Sequence, residues 1–437
     1  MARSNRRFIW ETLGKIQFGL EIALWRKSIR DGNWSGRMKR RSTILTFAAS
    51  VLAIAPMAGA VTYTGSILYP LTLPADYVTV GFSSVTQAAY AGQVMGAAYS
   101  GAVAETHALM WNAAGTPVDL NPSQGFASYA YSADGAQQVG TSASSGNAVF
   151  GDLYHAILWS GTAASAIDLN PSQLGVVISS ADAINGNQQV GYGRAPSDIG
   201  ALGPFHALLW TGSSSSAVDL TPSGFVESQA WGTDGIHQVG SGYQNGTGLQ
   251  THALLWTSTA NSAVDLNPTD LPLFTQSSAV AVSGNQQVGS ASAPTLGYAS
   301  HAMLWNSTAD SAVDLNPSDL TGYTNSFAEA TNGFEQVGYG YGAGNVPQDK
   351  ALLWFGNADS AVDLNALLPA VPFLDFSEAY SVDSSGDIFG VAQTLSGDAF
   401  AVEWTPTAPI PEPAAASILF LTGAAILLRR RRVSCNA

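Results

Sequence analysis

The sequence predicts an all-β fold made of seven similar units, and three recurring segments support this prediction. A five-residue signature, which ends in tryptophan, appears seven times at steps of 46 to 51 residues. A Gln-Val-Gly-type segment precedes each copy, and an Ala-Val-Asp-type segment follows every copy except the last. Each segment is short, rich in β-forming residues and bounded by turn-forming residues, so each predicts a strand. The signatures begin at His107, His155, His206, His252, His301, Lys350 and Phe400.

Residues 277–317 contain one complete unit, SSAVAVSG, NQQVGSAS, SHAMLWN and SAVDLNP, which predicts four strands. Four strands in a repeat of about 49 residues match the blade of a β-propeller, and seven blades fall within the usual range. A two-sheet sandwich would not keep so strict a period. We therefore predict a seven-bladed β-propeller of four-stranded blades, with an open stack of hairpins as the alternative.

The two ends of the repeat region predict how the ring closes. The seventh repeat ends at Trp404 without a fourth strand, whereas residues 65–74 precede the first repeat as the Ala-Val-Asp segment precedes the others. We align Ile67-Leu68-Tyr69 with Ala-Val-Asp, which places Phe400 opposite Tyr69. In the other repeats these two positions hold a polar pair, and in the seventh repeat aromatic residues replace both members of that pair. The N-terminal strand is therefore expected to complete the last blade and close the ring.

The first residue of each signature lies 12 or 13 positions before an aspartate, which predicts a cross-strand pair within each blade. A hydrogen bond that recurs once per blade is a structural feature. The alternative, a ring of histidine ligands around the channel, would be interrupted by Lys350 and Phe400, and the chain has no H-E-x-x-H spacing. The sequence thus predicts no metal site. The predicted pairs are His107 with Asp119, His155 with Asp168, His206 with Asp219, His252 with Asp265, His301 with Asp314 and Lys350 with Asp363.

Charge is distributed unevenly along the chain. Between Val61 and Pro413 there are two basic residues, Arg194 and Lys350, against 28 acidic ones, a formal charge of −26. A body of this sign is repelled by phosphate backbones, so a nucleic-acid partner is excluded. The charge predicts a solubilising surface, with loose capture of divalent cations as the alternative. A built calcium site is not indicated, because D-x-D spacing is nearly absent.

Residues 38–60 have the three parts of a secretory signal peptide. A basic stretch at 39–41 precedes an apolar run, and small residues then lead to a cleavage point between Ala60 and Val61. Signal peptidase is therefore an expected partner during export. Residues 1–37 are an extension or a mis-assigned start, although their amphipathic pattern also fits a helix on a membrane surface.

The C-terminal residues 409–437 form a second address segment. The apolar run 414–428 has 15 residues; as a helix it would span about 22 Å, less than the ~20 residues of a comfortable membrane span. A single hydrophobic helix with a basic end suits a transient anchor in the inner membrane. The flanking motifs are Pro411, Glu412 and Pro413 before the run, and Arg429, Arg430, Arg431 and Arg432 after it.

The order Pro-Glu-Pro, apolar helix, arginine cluster resembles the PEP-CTERM sorting signal. This resemblance covers about 411–432 and implies processing by an exosortase-type transpeptidase. It also implies secretion to the cell envelope of a Gram-negative-type bacterium that makes extracellular polysaccharide. An ordinary C-terminal anchor is the alternative. The repeat at about 80–405 resembles the HAF-type bacterial extracellular repeats, with Leu, Met or Ile where that name has Phe. That family implies an extracellular repeat protein and no established activity.

Short catalytic motifs are absent from the sequence. We find no G-x-S-x-G elbow, no phosphate-binding glycine loop and no paired carboxylates marked by context, so no catalytic residue and no cofactor is predicted. The seven signature tryptophans are expected to be core anchors between blades. Trp231 lies outside the repeat pattern and could be an exposed ligand platform.

Loops that depart from the repeat are where function is expected. The largest departures are at 70–79, 193–205, 241–250 and 340–349. We therefore predict that residues 61–408 form a non-enzymatic propeller at the cell surface or in the extracellular matrix, which binds a glycan or a protein. The alternative is a polysaccharide-active enzyme, a hydrolase or lyase, because two catalytic acids can lie far apart in sequence.

Overall fold

A computed structural model describes residues 61–407 of the chain, apart from short segments. Contacts divide the chain into two units, residues 1–60 and 61–437, and all described residues belong to the second. The segments outside the described residues are 79–87, 91–92, 103–104, 124–126, 148–150, 197–202, 245–249, 294, 296, 298, 343–347 and 371–373.

The described chain folds into seven sheets, each a blade of a β-propeller. The first strand, β1, is Tyr63–Pro70. Blade one contains β2 (Tyr77–Val78), β3 (Ala88–Tyr90), β4 (Gln93–Ser100), β5 (Glu105–Trp111) and β6 (Pro117–Asp119). Blade two contains β7 (Ser128–Asp134), β8 (Gln137–Asn147), β9 (Gly151–Trp159) and β10 (Ile167–Asp168). Blade three contains β11 (Ile178–Asn185), β12 (Gln188–Arg194), β13 (His206–Trp210) and β14 (Val218–Asp219).

Blades four to six repeat the four-stranded pattern of blades two and three, whereas blade one has five strands and blade seven has three strands of its own. Blade four contains β15 (Phe225–Thr233), β16 (Gln238–Gln244), β17 (Thr251–Trp256) and β18 (Val264–Asp265). Blade five contains β19 (Gln276–Ser283), β20 (Gln286–Ser292), β21 (Ser300–Asn306) and β22 (Val313–Asp314). Blade six contains β23 (Tyr323–Thr331), β24 (Gln336–Gly342), β25 (Lys350–Trp354) and β26 (Val362–Asp363). Blade seven contains β27 (Leu374–Val382), β28 (Ile388–Thr394) and β29 (Ala399–Pro406).

Short 3-10 helices accompany the outer strands of several blades. They are Ala163–Ser165, Ser172–Leu174, Ser214–Ser216, Ala260–Ser262, Ala309–Ser311, Ala358–Ser360 and Asn365–Leu367. Strand order within blades two to six is antiparallel and sequential, from an inner first strand to a two-residue outer strand. The prediction of an all-β, seven-bladed propeller with four-stranded blades is confirmed.

The N-terminal strand belongs to the last blade. β1 pairs with β29, so that blade seven has the order β1-β29-β28-β27. The register differs by one residue from the predicted one: Pro70 stands opposite Phe400, and Tyr69 stands opposite Ala401. A β-bulge between Ile67 and Tyr69 causes the shift, because one extra residue on β1 has no partner on β29.

The core lies between neighbouring blades and is anchored by the signature tryptophans. In each pair of blades, the tryptophan of the later blade packs against the inner residues of the earlier one, as Trp210 does against Val139 and Leu158. One cluster joins the last blade to the first, with Tyr69 and Trp111 among its members. The expectation that the tryptophans anchor the core is confirmed. The seven fully buried tryptophans are Trp111, Trp159, Trp210, Trp256, Trp305, Trp354 and Trp404.

A buried serine at the start of each inner strand joins its blade to the previous one. Ser277 Oγ accepts a hydrogen bond from the main-chain N–H of Ala253 at 3.0 Å and donates one to Asn267 at 2.8 Å. The same arrangement recurs in blades two to seven, with Thr221 replacing asparagine once. Since a buried polar group must find partners, this bridge fixes the position of each inner strand along the previous blade. The serines are Ser128, Ser179, Ser228, Ser277, Ser326 and Ser377.

The inner strands of neighbouring blades are in contact. Each inner strand from β7 to β27 contacts the inner strand of the neighbouring blade, and β27 contacts β3 of blade one.

Candidate functional site

The loops that depart from the repeat all leave the propeller at one end. Because each blade is an antiparallel meander, the loops between second and third strands and those between one blade and the next lie at the same end. We call this end the loop face. Segments 70–79, 193–205, 241–250 and 340–349 all belong to it. Parts of each, namely 79, 197–202, 245–249 and 343–347, lie outside the described residues.

A β-bulge recurs on the inner strand of blades two to seven. In each case the residue three positions after the buried serine is skipped by the pairing register. A bulge leaves the extra residue unpaired and turns its side chain out of the regular pleat. The skipped residues differ from blade to blade in size and charge, unlike the repeat around them. They are Tyr131, Asp182, Trp231, Val280, Glu329 and Tyr380.

Three carboxylic acids come together at the loop face between blades six and seven. Asp349 directly precedes β25, and its carbonyl oxygen accepts a hydrogen bond from Ser377 N–H at 3.0 Å. That contact places the Asp349 carboxyl against the carboxyl of Glu378, and the two share a hydrogen bond. Glu329, at the bulge of β23, lies close enough to add its charge. The hydroxyl of Tyr380 donates to Glu378 Oε2.

Burial and mutual repulsion keep protons on these acids. Burial raises the pKa of Glu378 to about 9, and the neighbouring charges of Asp349 and Glu329 add to the rise. Burial also raises the pKa of Asp349, although its bond to Glu378 and the charge of Lys350 oppose the rise. Burial raises the pKa of Glu329 to about 7. Two carboxyls in contact cannot both ionise readily, so the Asp349–Glu378 pair holds one proton between them at neutral pH.

Aromatic rings form the wall beside this acid cluster. Phe327 on β23 stacks on Tyr339 at 5.1 Å and on Tyr341 at 6.3 Å. Burial, followed by the charges of Glu329 and Glu378, raises the pKa of Tyr339, so its hydroxyl stays protonated. The cluster is thus a group of buried and half-buried acids beside aromatic rings that could hold an apolar part of a ligand.

Lys350 does not pair with Asp363 as the repeat predicted. Its ammonium donates to the carbonyl oxygen of Asp375 in blade seven. Asp363 instead accepts a hydrogen bond from the main-chain N–H of Ala366 at 3.2 Å. Burial, and then the charge of Asp363, raises the pKa of the nearby Tyr323. The longer lysine side chain reaches across to the next blade, where a histidine ring would stay beside the aspartate.

The five predicted histidine–aspartate pairs lie within hydrogen-bond distance. In each, histidine Nδ1 is 2.7 or 2.8 Å from aspartate Oδ2. The aspartate Oδ1 also accepts the main-chain N–H two residues later, as Asp168 does from Asn170. In blade three the bond to Asp219 raises the pKa of His206, and the bonds from His206 and Thr221 hold the pKa of Asp219 low against burial. The sixth histidine, His237, pairs with Asp234 in a turn at 3.0 Å.

Trp231 is part of an aromatic group rather than an exposed platform. Its indole N–H donates to Ser241 Oγ at 3.1 Å, and the ring meets Tyr192 edge-on at 5.9 Å. Tyr192 in turn meets Phe205 at 5.1 Å, and the guanidinium of Arg194 lies 4.3 Å above the Phe205 ring. The prediction of an exposed ring is corrected, because the bulge turns this residue toward blade three instead of toward solvent.

The address segments lie outside the described residues. This holds for the signal peptide up to Ala60, for 411–413 and for 429–432. Within the described part, no helix is long and apolar enough to cross a membrane. In the same part of the chain, no group of three or more His, Cys, Asp or Glu side chains is arranged to hold a metal ion.

The acid cluster and the bulges were not found by sequence reasoning. The three acids occupy different positions of two repeats, so no short motif contains them. One signal was present: the residue three positions after the inner-strand serine varies among five residue types in six blades, whereas the serine itself recurs.

Comparison with known proteins bears on the fold. No family model matches the chain, and no curated protein matches it. Among solved structures, a puromycin hydrolase is similar over 79% of this chain and 57% of its own, with a TM-score of 0.48 and 11% identity. An acylaminoacyl peptidase is similar over 72% and 50%, with a TM-score of 0.45 and 10% identity. A prolyl endopeptidase is similar over 87% and 55%, with a TM-score of 0.46 and 13% identity.

These neighbours contradict two functional expectations. The sequence indicated a non-enzymatic role in binding a glycan or a protein, and no enzymatic activity. The cited neighbours are peptidases, which stands against both expectations. The absence of short motifs says nothing of a site assembled from distant residues. The chain spans between 50% and 57% of the length of these three proteins, and the likeness at this identity shows the fold alone.

Proposed function

We propose that the chain is a hydrolase whose site is the acid cluster at the loop face, and that it cleaves peptide bonds. The observation that carries the proposal is the hydrogen-bonded pair of Asp349 and Glu378, which retains one proton at neutral pH. Two carboxyls that share a proton supply a general base and a general acid at the same place. The names of the structural neighbours make peptides the first substrates to test.

In the proposed hydrolysis, one carboxyl of the pair is ionised and acts as the base, and the other is protonated and acts as the acid. The ionised carboxylate of the pair removes a proton from a water molecule, and the water oxygen forms a bond to the carbonyl carbon of the substrate. The protonated carboxyl gives its proton to the carbonyl oxygen. Collapse of the tetrahedral intermediate breaks the C–N bond, and the proton taken from water passes to the leaving nitrogen. One hydroxyl proton of the intermediate returns to the carboxylate that had protonated the carbonyl oxygen, which restores the pair. Net, one water is consumed, and a carboxylic acid and an amine are formed.

Neighbouring groups keep the pair in position. Tyr380 donates to Glu378 Oε2, which fixes the orientation of that carboxyl. Ser377 N–H holds the main chain of Asp349 at 3.0 Å. The stacked rings of Phe327 and Tyr339 provide an apolar wall for a substrate side chain.

The test is cleavage of a defined mixture of peptides by the purified chain, with new termini identified by mass spectrometry. Replacing either acid by its amide, Glu378→Gln or Asp349→Asn, should lower the rate by about 100-fold or more, because the shared proton is lost. Asp270→Asn removes an exposed acid elsewhere on the chain and should leave the rate unchanged. Activity should also fall at alkaline pH, where the pair gives up its proton.

Three results would count against this function. They are no new termini from any peptide, full activity in Glu378→Gln, and release of reducing ends from polysaccharides without peptide cleavage. The first would reject hydrolysis of peptides, the second would reject the acid pair, and the third would reject peptides as the substrate class.

We propose in addition that the protein is exported and sorted at the cell envelope. The signal-peptide pattern of 38–60 and the tail of 409–437 support this. Mature protein should begin at Val61, as N-terminal sequencing would determine. Replacing Pro411, Glu412 and Pro413 together by alanine should leave the chain in the inner membrane of a host that has an exosortase-type enzyme. Equal release of the altered and unaltered chains would contradict the sorting proposal.

We also propose that the propeller is a closed ring, with β1 as the closing strand. Pairing of β1 with β29 and the contact of β27 with β3 support this. The hydroxyl of Tyr63 donates to Glu335 of blade six, which ties the same strand to a second blade. Deleting residues 63–74 should lower the unfolding temperature strongly, and an unchanged temperature would favour the open stack.

A further inference from the structure

One buried carboxylate oxygen of blade three lacks a hydrogen-bond partner. Asp182 occupies the bulge of β11, and its Oδ1 accepts a hydrogen bond from Ser180 Oγ at 2.7 Å. Its Oδ2 is buried, and none of the described residues donates to it. Burial raises the pKa of Asp182 to about 7. Because buried polar atoms in folded proteins nearly always have partners, this oxygen is suited to accept a hydrogen bond from a ligand.

Aromatic rings surround this carboxyl. Tyr131 comes from the bulge of blade two, and Tyr192 lies on the neighbouring strand β12. Burial, and then the nearby charge of Asp182, raises the pKa values of both tyrosines. Trp231 meets Tyr192 edge-on at 5.9 Å. A carboxylate among aromatic rings is a favourable environment for a cation, because the faces of the rings and the carboxylate attract it together.

Among the residues that the structure describes, no positively charged side chain fills this role. Arg194, two residues beyond Tyr192, lies over Phe205 at 4.3 Å, and its Nε donates to the carbonyl oxygen of Gly203 at 2.7 Å. Lys350, the other cation of the body, donates to Asp375 in blade seven. A metal ion is not favoured, because the described residues offer no set of three ligands. The remaining class of positively charged ligand is an organic cation.

We propose that Asp182 is the binding site of an organic cation, an ammonium or guanidinium group held between Tyr131, Tyr192 and Trp231. The formal charge of −26 between Val61 and Pro413 draws such ligands toward the body. The site is formed by blades two to four, whereas the acid pair belongs to blades six and seven, so this inference does not depend on the hydrolase.

The experiment measures binding by calorimetry. The probe is Nα-acetyl-L-arginine amide, and its neutral control is the citrulline analogue, which has the same shape without the charge. Binding is measured with the Glu378→Gln chain, so that loss of turnover and loss of binding stay separate. We expect the arginine probe to bind at least about tenfold more tightly than the citrulline probe.

Variants locate the site. Asp182→Asn should weaken binding of the arginine probe at least about tenfold, and Asp270→Asn, which also removes one negative charge, should change it by less than about twofold. The amide in place of a buried carboxylate should not lower the unfolding temperature, because it removes a desolvated charge. If Asp182→Asn does not fold, the comparison of the two probes on the unaltered site decides the matter.

Equal affinity for the charged and neutral probes would overturn the inference, and so would unchanged binding by Asp182→Asn. A peptide with a central arginine and free L-arginine are compared next. Tighter binding of the peptide assigns the cation to a peptide side chain, and tighter binding of the free amino acid assigns it to a small amine. Both results support the site.

Discussion

On every inner strand of blades two to seven, a buried serine that recurs in each blade stands three residues before a bulged residue whose type varies, with five residue types in six blades. The serine is buried and each time bridges a main-chain N–H and a polar side chain of the previous blade, as Ser277 bridges Ala253 and Asn267. The bulged residue has no partner on the neighbouring strand and ranges from Val280 to Glu329. On the same strand, therefore, the serine position stabilises the fold, whereas the bulge position can vary and can contribute to a functional site.

The difference has a physical cause. Contacts between blades repeat because each blade must present the same surface to the next, so a change there would break two interfaces at once. A bulge releases one residue from the ladder, so its side chain can change without loss of a main-chain hydrogen bond. Both candidate sites, at Asp182 and at Glu329 with the Asp349–Glu378 pair, depend on a bulged acid. Substitutions at repeated positions and matched substitutions at other positions of the same strands or the same residue type test this difference.

The largest effect is expected for a tryptophan of the repeat. Trp256→Ala should lower the free energy of unfolding by about 3–5 kcal/mol, because it empties a fully buried site. The matched change Trp231→Ala, at a bulge, should lower it by about 1 kcal/mol, because that ring is only half-buried. Urea unfolding of the two variants measures the difference. Equal losses would mean that the bulge position contributes to the fold as much as the repeat does.

The serine bridge should give the next largest effect. Ser277→Ala leaves the N–H of Ala253 and the amide of Asn267 without their partner, and should lower the free energy of unfolding by about 1–3 kcal/mol. The neighbouring change Ser278→Ala removes a half-buried hydroxyl and should stay within about 0.5 kcal/mol. Urea unfolding again distinguishes them, and a neutral Ser277→Ala would show that the bridge does not stabilise the ring.

Much of the fold, but little of the candidate site, could be predicted from the sequence. The tryptophan signature gives the period and the blade count, because it marks the same buried position in each blade. The exchange of Phe400 and Tyr69 indicated where the N-terminal strand goes. The one-residue error in that register has the same origin as the missed sites: a bulge is a property of two paired strands, and neither strand shows it alone. The acid pair was missed because Asp349 and Glu378 meet only when blades six and seven pack together.

The pH dependence of stability should reveal the bulged acids. Burial raises the pKa of Glu329 to about 7, so the folded chain holds a proton that the unfolded chain releases at lower pH. Its contribution is therefore complete in acid and is lost as the pH rises through about 7. Glu329→Gln should reduce the fall in unfolding temperature between about pH 5 and pH 8 by about 2–4 °C. Asp270→Asn, at an exposed position, should keep the original profile, and an equally steep profile for Glu329→Gln would contradict the assignment.

The smallest effect is expected for a repeat pair that is open to solvent. His206 and Asp219 are 40% and 42% exposed, and their contact of 2.7 Å should add about 0.5 kcal/mol of stability. Because the pKa of His206 is raised in the folded chain, the pair contributes its full stabilisation below the ordinary pKa of histidine. This stabilisation is lost as the pH rises through the folded pKa. The lowered pKa of Asp219 removes it again in strong acid. The unfolding temperatures of the unaltered chain and of His206→Gln should therefore differ most at mildly acidic pH and converge on both sides, whereas a constant difference would mean that the pair acts by packing and not by charge.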